Sequence, residues 1–263
     1  MRERHGGAGR VAAFAVMALI WGLTWLPMKI AAEAVPPIFL AAVRFVLAGL
    51  GFYLIASARG LTLRLEQPGR VVLAALLINT GCYSLVFWGV ARSPSGLSAI
   101  VNLALLPIFV ILVGAFHGQE RITLRRLGAI ALGVAGLVLL FSGRSGGAQD
   151  GAGAALGLAA VAAGTLSYAW GAVVSRPLME TMPPLTLAFW ETVIGAAGLV
   201  PVSLLVEGWD PGHVAALADP RALIGLGVLV IGGSLGAFSI YLWLVRDWGA
   251  FRAGLYADRK SVV

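Results

Sequence analysis

Two ionisable side chains lie deep inside apolar stretches. Arg44 sits about eight residues into the run 36–57, and Glu191 occupies the matching place in the run 183–206. A charge at such depth is costly in hydrocarbon. It therefore faces a bundle interior or a water-filled cavity, where it marks an ion, proton or solute path. The pair reads as a responsive couple, as a static ion pair, or as an Arg44 that snorkels towards the headgroups.

Aromatic groups with one polar end surround these charges in the sequence. Trp21 and Trp25 are four residues apart and share a helical face, as do Asn79 and Tyr83. Phe238 lies one turn before Tyr241, and Tyr168 lies two residues before Trp170. Such rings suit a cavity for organic solutes that carry a polar end. The same residue types form interfacial belts, which is the competing reading for Trp25, Trp209 and Trp248. Trp21, Asn79, Tyr83, Asn102, Tyr168, Trp170 and Tyr241 are the cavity candidates. Asn79 and Asn102 are amides in apolar runs and must find partners, either on another helix or on a solute. Pro27 and Pro107 each free a backbone carbonyl and are the candidate helix kinks.

Other chemistries find little support. His5, His117 and His213 lie near a terminus or in loops, without zinc spacing or the partners of a catalytic triad. No Gly-Lys-Ser/Thr phosphate loop occurs. Cys82 is the sole cysteine and lies in an apolar run as a small buried hydrophobe, so neither a disulfide nor a cysteine metal site is expected. No cofactor and no metal are expected, and the chain is not expected to be an enzyme.

The elements that position these residues are membrane helices. Hydrophobic residues make up 59% of the 263 and charged residues 12%, about half the charge of a soluble domain. Eight candidate spans follow, at about 11–28, 36–57, 70–91, 94–116, 124–142, 154–175, 183–206 and 222–245, with a ninth beginning near Gly249. The first is expected to remain as an uncleaved helix, although Ala32-Glu33-Ala34 resembles a signal cleavage site. The 35 glycines, Gly128, Gly133 and Gly136 among them, are expected to bring helices close.

The charge of +7 reflects membrane orientation rather than nucleic-acid binding. With the N-terminus inside, twelve Lys and Arg fall in inner segments and four in outer ones. This bias puts the N-terminus in the cytoplasm.

The chain also repeats itself. Trp21-Gly22 recurs as Trp170-Gly171, 149 residues later; Pro36-Pro37 with Arg44 recurs as Pro183-Pro184 with Glu191, 147 later; Phe87 to Arg92 recurs loosely as Tyr241 to Arg246, 154 later. A five-span unit must invert on repetition, because an odd number of crossings reverses direction. Inverted repeats around a midplane site recur among secondary transporters.

On these residues the chain resembles the EamA-like branch of the drug/metabolite transporter superfamily. The likeness is carried by Ala18 to Trp25, Arg44-Phe45, Pro94-Ser95-Gly96-Leu97-Ser98-Ala99 leading to Pro107, Gly118-Gln119-Glu120-Arg121, and Leu127-Gly128 to Leu140. It implies an all-α polytopic bundle of two inverted five-helix repeats. Residues 11–142 form the first repeat and 154–257 an interrupted second, with about eight and a half of ten spans present. It also implies gradient-driven export of small metabolites, amino acids or drugs across the cytoplasmic membrane, with a proton or solute counter-gradient as partner. Membrane-embedded enzyme and non-transporting scaffold are the alternatives.

Asp258-Arg259-Lys260-Ser261 departs from the pattern, placing three charges where a membrane helix should deepen. Residues 258–263 match the translation of a common sequencing-adapter stretch. They are expected to be a non-native tail on a truncated second repeat.

Overall fold

Proline sets where many of the helices begin. Its fixed φ suits the first turn and its missing N–H is not needed there. In a computed structural model, which describes residues 2–142 and 151–248, Pro37, Pro68, Pro184, Pro211 and Pro220 each stand at a helix start. The helices are α1 (Arg2–Leu23), α2 (Trp25–Ala34), α3 (Pro37–Ala58), α4 (Pro68–Ala75), α5 (Cys82–Arg92), α6 (Ser95–Phe116) and α7 (Leu124–Ser142). They continue as α8 (Ala152–Ser175), α9 (Leu178–Thr181), α10 (Pro184–Val206), α11 (Pro211–Ala216), α12 (Pro220–Gly227) and α13 (Ala237–Trp248). Two π-helical segments, Leu76–Gly81 and Val228–Gly236, join α4 to α5 and α12 to α13. No strand occurs among the described residues, and the fold is a polytopic helix bundle.

Seven helices among the described residues are long and apolar enough to cross a membrane: Gly9–Ala34, Pro37–Ala58, Pro68–Arg92, Ser95–Phe116, Ala152–Ser175, Pro184–Val206 and Pro220–Tyr241. The expected span 124–142 is a continuous helix, α7, but its apolar stretch is shorter, Arg126–Leu139. The arginines at 125 and 126 occupy its first turn. The expected ninth span, the departure after residue 257 and the tail 258–263 lie outside the described residues. Large apolar side chains such as Leu54, Leu132, Leu205 and Ile231 point outward. Such a surface is ordinary against lipid and a liability in water.

Pro27 explains the break between α1 and α2. A proline inside a helix removes its own N–H bond and crowds the carbonyl four residues back, here Leu23, where α1 ends. The Thr24 hydroxyl, donating to the Trp21 carbonyl at 2.6 Å, satisfies part of the opened turn. Pro107 acts differently, because α6 continues through it, as α10 does through Pro201.

The packing repeats with the two halves exchanged. The first span, α1 and α2, lies along α12, the second π segment and α13, while α8 lies along α4, the first π segment and α5. Likewise α3 meets the second π segment, α10 meets the first, and α3 and α10 pack on each other.

Glycines permit the close approaches, but not the ones expected. On α8, Gly157, Gly164 and Gly171 recur every seven residues along the contact with α5 and the first π segment. An added Cβ would come within 2.7 Å of the Gly89 carbonyl, 2.8 Å of the Cys82 carbonyl and 2.5 Å of the Ile78 side chain, respectively. Gly195 and Gly198 on α10 admit Asn79 and Thr80 in the same way. Gly128 and Gly136 instead have open space where a side chain would go, and Gly133 meets only Ile108. The reason is that α7 is peripheral, packed mainly on α6. Cys82 is buried, as expected.

Short helices and loops close the ends. Asp219 caps α12, accepting from the Arg221 N–H at 2.7 Å. The Arg221 side-chain hydrogen bond holds the Asp219 carboxyl below its ordinary range. Gly118, at φ +70, takes the left-handed turn after α6 that residues other than glycine rarely adopt. Just beyond it, Glu120 holds Arg126 at 2.8 Å and Arg176 at 2.9 Å.

Candidate functional site

Helix α3 carries Arg44 seven residues past its proline start, about 10 Å along the axis. The side chain is 6% exposed. Three aromatic rings surround its guanidinium, with centroids 5.1 Å (Phe45), 5.2 Å (Tyr83) and 5.8 Å (Phe87) from the central carbon. The Ser234 hydroxyl, on the second π segment, accepts a long hydrogen bond from Arg44 Nε at 3.4 Å. Aromatic faces attract the charge without accepting conventional hydrogen bonds.

Trp21 reaches the same π segment, and its indole N–H donates to the Gly233 carbonyl at 3.0 Å. Its ring lies 6.3 Å from that of Tyr241, which in turn lies 5.7 Å from Phe238. A widened π turn accommodates one residue more than an α turn and is frequent at functional sites. Here it presents a carbonyl and a hydroxyl to Trp21 and Arg44, both from the first half of the chain.

Glu191 does not join Arg44. Among the described residues Arg44 has no carboxylate partner. Glu191 Oε1 accepts from the Ser175 hydroxyl at 2.6 Å, and its backbone carbonyl accepts from the Asn79 amide at 2.8 Å. The expected couple is therefore two separate sites. Matching places in the two runs fix only the position along each helix, and each side chain follows the neighbours that its own helix face meets.

The two amides satisfy themselves on other helices. Asn79 bonds α10 as described, and Asn102 donates to the Thr165 hydroxyl on α8 at 2.8 Å. Tyr83 packs edge-on against Phe45 at 4.7 Å, and Tyr168 packs against the same core as Tyr83.

Trp170 stands apart from this group. It is 38% exposed, with its ring 5.8 Å from Phe116 and 5.7 Å from His117 at the end of α6. The two Trp-Gly pairs are used in opposite senses. Gly171 presses against Ile78 and turns Trp170 outward, whereas Gly22 faces open space and Trp21 turns inward. Adjacent helical residues lie about 100° apart, so only one member of each pair faces the partner.

Four residues around Arg44 and Glu191 were not among the site candidates read from the sequence: Phe45, Phe87, Ser175 and Ser234. Serine in an apolar run was the one signal available, and two of the four carry it. A further polar link at the helix ends was also missed. Glu207, at the end of α10, accepts from the N–H groups of Ile38 and Phe39 and from the Ser203 hydroxyl.

Comparison with known proteins agrees with this architecture. The model of the EamA-like transporter family matches residues 10–142 and 155–262. An uncharacterized inner membrane transporter of Escherichia coli, YedA, is 27% identical over 247 residues, covering 93% of this chain and 77% of its own. A probable amino-acid metabolite efflux pump of Salmonella typhimurium is 27% identical over 201 residues, covering 74% of this chain and 64% of its own. One crystal structure, 23% identical, shares the fold with a TM-score of 0.54 over 95% of this chain and 93% of its own. The seven apolar helices and the family match together make this chain a multi-pass membrane protein that belongs to the EamA-like transporter family.

Proposed function

We propose that this chain exports a small organic solute, an amino-acid metabolite or drug, across the inner membrane as a secondary transporter that alternates access between two inverted five-helix repeats. The observation that carries this reading is a buried polar site shared by the two halves: Arg44 and Trp21 from one, Ser234 and the Gly233 carbonyl from the other. A group held jointly by two bodies is made and broken as they rock, which is how a midplane site is exposed first to one side and then to the other. The relatives named as an inner membrane transporter and an efflux pump support the same reading.

Trp21, Arg44, Tyr83, Ser234 and Tyr241 line the proposed cavity. Asn79, Asn102 and Tyr168 brace its walls, and Trp170 lies at its periphery. A proton or counter-solute gradient drives the cycle, and the N-terminus lies in the cytoplasm. The twelve-to-four distribution of basic residues supports that orientation.

Two measurements test the proposal. Purified protein in liposomes loaded with labelled amino acids or lipophilic drugs is expected to release at least one of them faster than empty liposomes do. Release indistinguishable from the control across the panel would remove the reading. Orientation is read from the side on which introduced cysteines react. Arg64→Cys and Arg121→Cys should label from the cytoplasm and His213→Cys from outside, with the buried Cys82 silent. All three labelling from one side would refute that topology.

A further inference from the structure

We infer that the solute carries a carboxylate joined to an apolar body, and that Arg44 is the residue that binds this carboxylate. The inference rests on the transporter reading above and adds the chemical class of its cargo.

A guanidinium has five N–H donors in a planar fork. In Arg44 one of them is used, on Ser234 at 3.4 Å, and no carboxylate meets the group among the described residues. The remaining neighbours are Phe45, Tyr83 and Phe87, whose rings hold the charge without accepting conventional hydrogen bonds. Among the described residues no side-chain nitrogen or oxygen that lacks a hydrogen-bond partner is sealed from solvent. The two terminal nitrogens of Arg44, for which no acceptor is found among the described residues, therefore keep some contact with solvent although the residue is only 6% exposed.

Buried charges elsewhere in proteins are paired or hydrogen-bonded, because an isolated one is strongly destabilising. An arginine left with a free fork beside accessible space is thus complete only when an anion enters. A planar fork matches a carboxylate in two parallel N–H···O bonds. Of the three rings Tyr83 is partly exposed and can meet an apolar or aromatic body at the same time, whereas Phe45 and Phe87 are buried against the guanidinium. Glu191 is kept away, bonded to Ser175. It does not neutralise Arg44 and leaves that place to the solute.

The test compares three ligands of one shape on the purified chain in phospholipid-free detergent: hydrocinnamate, its amide, and phenethylamine. Thermal stabilisation is expected from the acid and not from the amide or the amine. Arg44→Gln should weaken the acid's apparent affinity about tenfold or more, and Arg44→Lys, which keeps the charge but loses the fork, should fall between. Equal stabilisation by acid and amide overturns the inference, as does an Arg44→Gln protein that still binds the acid like the wild type. If Arg44→Gln does not fold, the wild-type comparison of acid with amide decides alone. Flux in liposomes separates the two readings. Export of neutral or cationic solutes without effect of acids leaves a transporter and removes the carboxylate site, whereas absence of flux and of stabilisation for every solute removes both.

Discussion

The carboxylate of Glu207 caps a helix from a distant part of the chain, accepting the N–H of Ile38, 169 residues earlier, at 2.7 Å and the Phe39 N–H at 2.8 Å. Pro36 and Pro37 open α3 without a side chain able to cap it, and the end of α10 supplies the missing acceptor. Anionic oxygens suit a helix N-terminus on two counts, hydrogen bonding and the helix dipole. Glu207→Ala is expected to cost about 1–2 kcal/mol, and Glu207→Gln less, since it keeps one acceptor. Thermal unfolding of the detergent-solubilised protein reads this, and three identical midpoints would dismiss the cap.

The glycine contacts on α8 give a second prediction. Gly164→Ala puts a methyl 2.8 Å from the Cys82 carbonyl, so backbone must move. Overpacking of this kind costs about 1–3 kcal/mol and should lower the yield of monodisperse protein. Gly136→Ala, with open space around it, should leave the yield unchanged. Equal losses in both variants would contradict this account of helix contacts.

A third concerns Arg44 and Glu191. As the two residues have separate partners, a double-mutant cycle of Arg44→Gln and Glu191→Gln should show coupling within about 0.5 kcal/mol. The charge swap, Arg44→Glu with Glu191→Arg, should rescue neither single variant. Recovery of yield in the swap would reveal an ion pair in another conformation.

The two tryptophans of the repeated Trp-Gly pair are expected to behave differently. Trp21→Phe loses the hydrogen bond to the Gly233 carbonyl, worth about 1 kcal/mol, and should slow flux. Trp170→Phe keeps its ring contacts with Phe116 and His117 and should transport like the wild type. A larger flux defect in Trp170→Phe than in Trp21→Phe would invert the assignment of faces.

The amino-acid sequence by itself determined the class of the molecule, the approximate spans, and the positions of Arg44, Glu191 and Trp21 along their helices. All of these follow from transfer free energies and residue spacing along one axis. Pro37 and Pro184 also declared their helix starts, because the constraint of proline is local. Tertiary structure alone decided azimuth. In a lipid-embedded helix both the buried and the outer faces are apolar, so the periodicity that marks the inner face of a soluble helix is faint here. That is why Gly128 and Gly136 could not be told from Gly164 and Gly171, nor Trp170 from Trp21. The same blindness hid the partners of the charges. Ser234, Tyr83 and Phe87 come from segments distant from Arg44 in sequence, and Ser175 from the helix before that of Glu191, and only the packing of α3 on the second π segment and of α10 on the first brings them together or keeps Arg44 and Glu191 apart.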